Sequence, residues 1–163
     1  MNDKQIVFDT LDQLGISYER YEHPPVPTIE EALLHWKDID AMHCKNLFFR
    51  NHKGNQHYMV VFDHKQKLAI RDLEQKLKQG KLSFASEKRM DKYLKILPGS
   101  VSPFGLLNDT ENHSILFLDE NILKAKRVSF HPNDNTMTLV LAVDDFKKYL
   151  DWVGNKYQFL NLY

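Results

Sequence analysis

Ile6, Val7, Leu11 and Leu14 recur at helical spacing and Gly15 follows as a stop, so the chain is predicted to open with a helix. The next stretch, ISYERYEH, alternates like a strand and ends at Pro24 and Pro25, where a ladder would lose its donors. Thr28 and Glu31 form the pattern T-x-x-E, which satisfies backbone N–H groups at a helix start and predicts a short helix to about Trp36. KNLFFRNHKGNQHYMVVFD reads as two apolar runs joined through Lys53 and Gly54, the chemistry of a hairpin. Leu68, Ile70, Leu73 and Leu77 mark a helix closed by Gly80, and Ser86 caps a second one through Met90 to Leu94. ILPGSVSPFGLLND carries too many Pro, Gly and Ser residues for regular structure, which predicts a loop well beyond the usual ~4–6 residues. SILFLD and TMTLVLAV read as strands, after which Asp144 or Asp145 would cap a last helix through Phe146, Tyr149 and Leu150.

That order excludes an all-helical bundle and a regular βαβ repeat. It predicts an α+β fold, a mixed and largely antiparallel sheet with helices around it. With 163 residues, 42% of them hydrophobic, and no repeat or flexible linker, residues 1–163 are expected to form one domain. Lys+Arg and Asp+Glu both number 22, so no global positive field exists to hold a long nucleic acid such as DNA, and any nucleic-acid contact must be local. A single cysteine, Cys44, excludes an internal disulfide. The first residues lack a signal-peptide core and no apolar run approaches the ~20 residues of a membrane helix. A soluble, cytoplasmic protein without a membrane partner is therefore expected.

Four clusters are dense in polar or conformationally special residues: His23 to Thr28, His43 to Asn46, Pro98 to Gly105 and His131 to Thr136. Each lies at a strand end or in a predicted loop, where a rigid scaffold presents binding groups. His43 beside Cys44 suggests zinc, but neither a C-x-x-C nor an H-x-x-x-H pair accompanies them, so no metal is expected. On a strand, His43 and Cys44 would point to opposite faces, which leaves Cys44 without a basic partner and reads it as a packed thiol. Lys45 and Asn46 precede the apolar run and can offer an amine and an amide to a phosphate or carbonyl. Gly99 and Gly105 can take positive φ, so the loop with Ser100, Val101, Ser102, Pro103 and Phe104 can expose consecutive N–H groups to an oxyanion; a stiff turn around its prolines is an equal reading. His131 reads as a base, as a donor to substrate, or as a histidine held by its neighbours. Asn133, Asp134, Asn135 and Thr136 alone predict only a tight turn. No G-x-S-x-G elbow, H-E-x-x-H helix or phosphate-binding glycine motif is present.

HPPVPTIEEA, HCKNLFFR, LSFASEKRMDKYLKILPGSVSPFGLLND and VSFHPNDNTMTLVL, in that order over most of the chain, resemble the YbaK/ProX family of freestanding aminoacyl-tRNA editing domains, in particular its prolyl-tRNA editing members. The resemblance implies a curved sheet and hydrolysis of the ester joining a wrong amino acid to the terminal adenosine of a tRNA, with no cofactor. Mapped onto this chain it implies Lys45, His131 and Gly99 as catalytic residues. Asn46, the loop from Ser100 to Phe104, His23, Thr28, Asn133 and Asn135 would bind substrate. The implied partner is the aminoacylated acceptor end of tRNA, with a prolyl-tRNA synthetase as a second candidate. The K-N-L-F string and the SPFGLLND loop are similar to the alanine-removing branch, so Ala-tRNA(Pro) is the expected substrate, with Cys- or Ser-tRNA(Pro) as alternatives. Where relatives commonly have an aromatic residue after H-P-P-V this chain has Pro27, which leaves the amino acid open. An aminoacyl ester is already activated, so binding it, stabilising the oxyanion and admitting water suffice without a nucleophile. The competing class is a silent module that binds aminoacyl-tRNA or an amino acid without turnover.

Overall fold

The computed structural model describes residues 4–25, 34, 36, 37 and 39–163. Helix α1 (Lys4–Gln13) buries Val7, Phe8 and Leu11 and ends at Gly15, whose φ of 71° lets the Ile16 N–H turn back to the Leu11 carbonyl. Strand β1 (Tyr18–Glu22) follows, and the predicted capping box of Thr28 and Glu31 lies outside the described residues. The predicted hairpin is β2 (Met42–Asn51) and β3 (His57–Asp63); Gly54 turns it at φ 73° and the Asn51 side chain accepts the N–H groups of Asn55 and Gln56. Helix α2 (Ile70–Leu77), strand β4 (Leu82–Phe84) and helix α3 (Glu87–Leu94) come next, with the Ser86 hydroxyl accepting from the Arg89 N–H as expected of a cap. After β5 (Ile115–Asp119) come β6 (Arg127–Phe130), β7 (Met137–Ala142), α4 (Val143–Val153) and β8 (Tyr157–Leu160).

The strands form one mixed sheet in the order β1-β7-β6-β2-β3-β5-β8, with β4 pairing β2 beside that path. Four pairings are antiparallel and three, β2/β6, β3/β5 and β5/β8, are parallel. Alternation divides the hydrophobic residues between the faces. Phe48, Met59, Val61, Leu116, Leu118, Val128 and Phe130 pack with α1, α4 and Leu94, while Phe49, Val60, Phe62 and Phe117 pack with Leu73 and Leu77 of α2. Burying one such side chain contributes roughly 1.5–3 kcal/mol, so both faces hold the sheet in place.

Several local expectations change. Lys78 at φ 56°, not Gly80, forms the left-handed end of α2. Helix α4 starts directly off β7 with Ala142 at its cap, so Asp144 and Asp145 lie in its first turn, where they complement the helix dipole. The second half of the predicted loop is a 3-10 helix, Pro103–Asn108, capped by the Ser102 hydroxyl accepting from the Phe104 N–H. Gly105 within it does not take positive φ; it is needed because an added Cβ would lie 2.3 Å from Ile96 Cδ1 and 3.3 Å from Leu94 Cβ. Lys45 and Asn46 lie inside β2 rather than ahead of it, because the strand already pairs with β6 at Met42 and His43.

Candidate functional site

One edge of β2 changes partners along its length. Through Met42 and His43 it pairs with β6, and from Phe49 to Asn51 it pairs with β4. Between these segments no described strand pairs that edge, and the sheet splits there. A split where a strand changes neighbours leaves backbone and side chains accessible from the end of the sheet, the geometry in which open α/β sheets bind ligands. Lys45 lies two residues beyond the last β2/β6 pair, His43 with Ser129, and His131 lies two residues beyond it on the β6 side. Strand alternation puts Lys45 on the sheet face of His43 and Ser129, and His131, just past the end of β6, lies on that side too, its ring 6.3 Å from that of Trp36, which stacks on His43; Asn46 belongs to the opposite face with Cys44 and Phe48. A group lodged in the split can therefore meet both residues of the Lys45–Asn46 pair. Asn46 Oδ1 is buried and has no hydrogen-bond partner among the described residues.

His131 is held on its own hairpin, its Nδ1–H donating to the Met137 carbonyl at 2.8 Å. Burial lowers its pKa, against a smaller opposing effect of the Met137 bond. At neutral pH the ring is thus uncharged, with Nε2 carrying the lone pair. The turn after it is fixed by its own residues, as its composition requires. Asn133 takes φ 63°, a conformation asparagine tolerates, and its amide donates to the Phe104 carbonyl at 3.3 Å. Asp134 accepts from the N–H and hydroxyl of Thr136 and pairs with Lys4 at 3.4 Å. Asn135 and Ser100 line a cavity of about 210 Å³ with Lys95, Leu97 and Asn133 between this turn and the glycine loop.

The glycine loop is anchored from behind. The Tyr149 hydroxyl donates to the Pro103 carbonyl at 2.8 Å, and the Ser102 hydroxyl reaches Asn133 Oδ1 at 3.5 Å. Phe104 is fully buried against Phe130 and Tyr149. Gly99 takes φ 86°, and the Ser100 N–H is taken by the Leu97 carbonyl. The N–H groups of Val101 and Ser102 meet no acceptor among the described residues.

His23 joins His131 edge-on at 6.0 Å between ring centroids, donating Nδ1–H to the Pro24 carbonyl and accepting at Nε2 from the Thr138 hydroxyl. Trp36 Nε1–H also reaches Thr138 Oγ1, and its ring stacks on His43 at 4.5 Å. His43 donates Nε2–H to the Ile39 carbonyl and accepts the Ser129 hydroxyl at Nδ1; burial lowers its pKa and keeps it neutral. Single-residue reasoning missed this wall of stacked rings, because nothing in sequence spacing brings Trp36 to His43 and Thr138. Cys44 is buried and its thiol pKa is pushed far above the ordinary value by burial, which excludes a thiolate nucleophile. Thr28 lies outside the described residues. Lys45 and Asn46 thus lie where β2 leaves β6, and His131 follows β6 at the same end with His23 beside it, while Ser100, Asn133 and Asn135 meet in the 210 Å³ cavity and the Ser102 hydroxyl ties the glycine loop to Asn133.

A sequence model of the family described as aminoacyl-tRNA editing domain matches residues 23–149. The chain is 44% identical over 163 residues to the prolyl-tRNA editing protein ProX of Acetoanaerobium sticklandii, covering 99% of each chain. It is 33% identical over 155 residues to the prolyl-tRNA synthetase associated domain-containing protein 1 of Mus musculus, covering 93% of this chain and 91% of that one. A crystal structure named as a candidate trans-editing enzyme for prolyl tRNA synthetase superposes with a TM-score of 0.71 at 20% identity, over 99% of this chain and 98% of the other. That last likeness concerns the fold.

Proposed function

The chain belongs to the aminoacyl-tRNA editing domain family, and from that premise we propose that it hydrolyses mischarged tRNA(Pro) in trans, with alanine as the amino acid removed. As a member of that family it is an aminoacyl-tRNA deacylase. The observation that carries the site assignment is the position of Lys45 and His131, on one side of the sheet and each two residues past the last β2/β6 pair.

Hydrolysis of the ester adds water to the carbonyl carbon, breaks the bond to the ribose oxygen and returns a proton to that oxygen. In our reading the Lys45 ammonium holds the phosphate or ester of the terminal nucleotide, and Asn46 Oδ1 accepts a hydrogen bond from its amino or hydroxyl groups. The Val101 and Ser102 N–H groups receive the negative charge that develops on the carbonyl oxygen; donors of this kind act strongest in a water-poor site. His131, neutral with Nε2 as acceptor, orients water or the ribose hydroxyl beside the ester. The bound acceptor end is what brings the chain to tRNA, and a prolyl-tRNA synthetase would supply the mischarged substrate.

A hydrophobic pocket separates neighbours differing by one methylene by only ~1–3 kcal/mol, so alanine must be chosen mainly by excluding proline. The test is a time course of ester hydrolysis on tRNA(Pro) charged separately with alanine, cysteine, serine and proline. Loss of alanine with proline spared supports the reading. Loss of cysteine or serine instead keeps the enzyme and moves its specificity, and decay at the protein-free rate for every ester favours the silent binding module.

A further inference from the structure

The zero net charge hides a strong segregation. Residues 63–100 hold ten Lys and Arg against five Asp and Glu, and the rest of the chain holds twelve against seventeen. Nine of those ten basic side chains are exposed and none forms an ion pair among the described residues; the tenth, Arg89, is bound to Gly54 and His57. Glu74 accepts the Leu82 N–H and Asp63 the Lys65 N–H, and both keep their charge, so the segment carries a net surplus of five positive charges, ten basic side chains against five acidic ones.

The fold carries this segment around the β2 edge, from one sheet face to the other. It starts at the end of β3 next to the N-terminal half of β2, where Lys37, His43, His64 and Lys65 line a cavity of about 360 Å³. It then covers one sheet face as α2, forms β4 on the β2 edge beyond the split, and crosses to the other face as α3. It ends in the Gly99 loop. The opposite wall, β1, β6, β7 and the Asn133 turn, sets Glu19, Glu22 and Asp134 against Arg20 and Arg127, with Glu19 paired to Arg127 and Asp134 to Lys4, so it offers no comparable positive surplus. The surplus of positive charge that an RNA would meet lies on the side of residues 63–100.

We propose that the basic segment of residues 63–100 is the docking surface for the phosphates of the tRNA acceptor arm, led by Lys65, which lines the 360 Å³ cavity, and by the exposed Lys67 and Arg71 that follow it in the chain. The proposal rests on the deacylase reading above, and adds where the RNA outside the active site lies. Each lysine or arginine that neutralises a phosphate releases condensed counterions and steepens the salt dependence of binding. A surface of this kind acts on KM and on the association rate rather than on the chemical step.

The test compares two triple variants of equal charge change: Lys65→Glu/Lys67→Glu/Arg71→Glu on this segment, and Lys124→Glu/Lys147→Glu/Lys156→Glu, all exposed, on the remainder. Each is assayed on charged tRNA(Pro) and on the same amino acid esterified to the trinucleotide CCA, with thermal melts to establish folding. The expected result is a tenfold or larger fall in kcat/KM on tRNA for the first triple, carried by KM. Its log kcat/KM against log salt should flatten by about 0.7–0.9 per lost contact. The trinucleotide rate stays within twofold, and the second triple lowers kcat/KM on tRNA less than threefold. Equal losses in the two triples, or an equal loss on the trinucleotide, overturn the docking surface. If wild type hydrolyses neither ester, the deacylase reading itself fails, a result distinct from both.

Discussion

His131 and Met137 are joined across the β6–β7 turn by a 2.8 Å hydrogen bond from imidazole Nδ1–H to the main-chain carbonyl. A carbonyl only accepts, so the bond selects the tautomer and leaves Nε2 as an acceptor at the split. Burial lowers the pKa of the ring, against the smaller opposing effect of the Met137 bond. Deacylation is expected to be flat near pH 7 and to fall in acid as Nε2 takes a proton, with a midpoint below the ordinary histidine value of about 6.5. His131→Asn should lower the rate at pH 7 at least tenfold and abolish that acid limb. A pH–rate profile of both proteins checks this; an unchanged limb in the variant would assign it to another group.

Lys45 and Asn46 are both partly buried, and they separate under mutation because only Asn46 holds a buried polar atom without a partner among the described residues. Lys45→Ala removes a partly buried cation that makes no ion pair among the described residues, and should leave the melting temperature nearly unchanged while lowering the deacylation rate about a hundredfold, more than His131→Ala does. Asn46 Oδ1 is buried and unpartnered among the described residues, a cost to the free protein that substrate binding would remove. Asn46→Leu should therefore be more stable than wild type by about 1 kcal/mol and nearly inactive. Urea unfolding beside the activity assay reads both; a destabilised Asn46→Leu would mean that the oxygen is not a liability in the free fold.

How much of this was legible along the chain depends on what each element rests on. Helix α1 with Gly15, the β2–β3 hairpin with Gly54 and the Ser86 cap follow from local patterns, and those held. Strands β4, β6 and β8 are three or four residues long and exist because of their partners, so no run of alternation announces them. The residue clusters of the candidate site were visible, but the split beside Lys45 and Asn46 was not, since it arises from β2 pairing β6 in parallel and then β4. Charge segregation was present in the sequence and escaped a count that averaged over all 163 residues. Gly105 looked like a turn glycine, whereas its reason is a contact with Ile96.

That contact makes a paired prediction. In Gly105→Ala the new methyl meets Ile96 Cδ1 at 2.3 Å and Leu94 Cβ at 3.3 Å, an overpacked site costing typically 1–3 kcal/mol. Ile96→Val deletes the Cδ1 atom and costs about 0.5–1.5 kcal/mol alone. The double variant should lose less than the sum of the two, a coupling of roughly 0.5 kcal/mol or more in a double-mutant cycle by urea unfolding. Strict additivity would place the strain elsewhere.

His57 gives the protein an acid limit unconnected with catalysis. It is fully buried between Phe48 and Tyr93, accepts from Arg89 Nη1 at 3.0 Å through Nε2, and donates Nδ1–H to His113 Nε2 at 2.9 Å. Protonation would place a second cation against Arg89 with no acceptor for the added N–H. Burial first, then His113 and Arg89, depress the pKa to about 4. The unfolded chain, with histidine near 6.5, binds this proton between those two values while the folded protein does not, so stability is full above pH 6.5 and is lost as pH falls toward 4. The loss from this one group between pH 7 and pH 5 is about 2 kcal/mol. His57→Gln cannot titrate, so it should be less stable than wild type at pH 7 yet lose about 2 kcal/mol less on going to pH 5. Urea midpoints at the two pH values decide it, and equal losses in the two proteins would move the acid limit to another group.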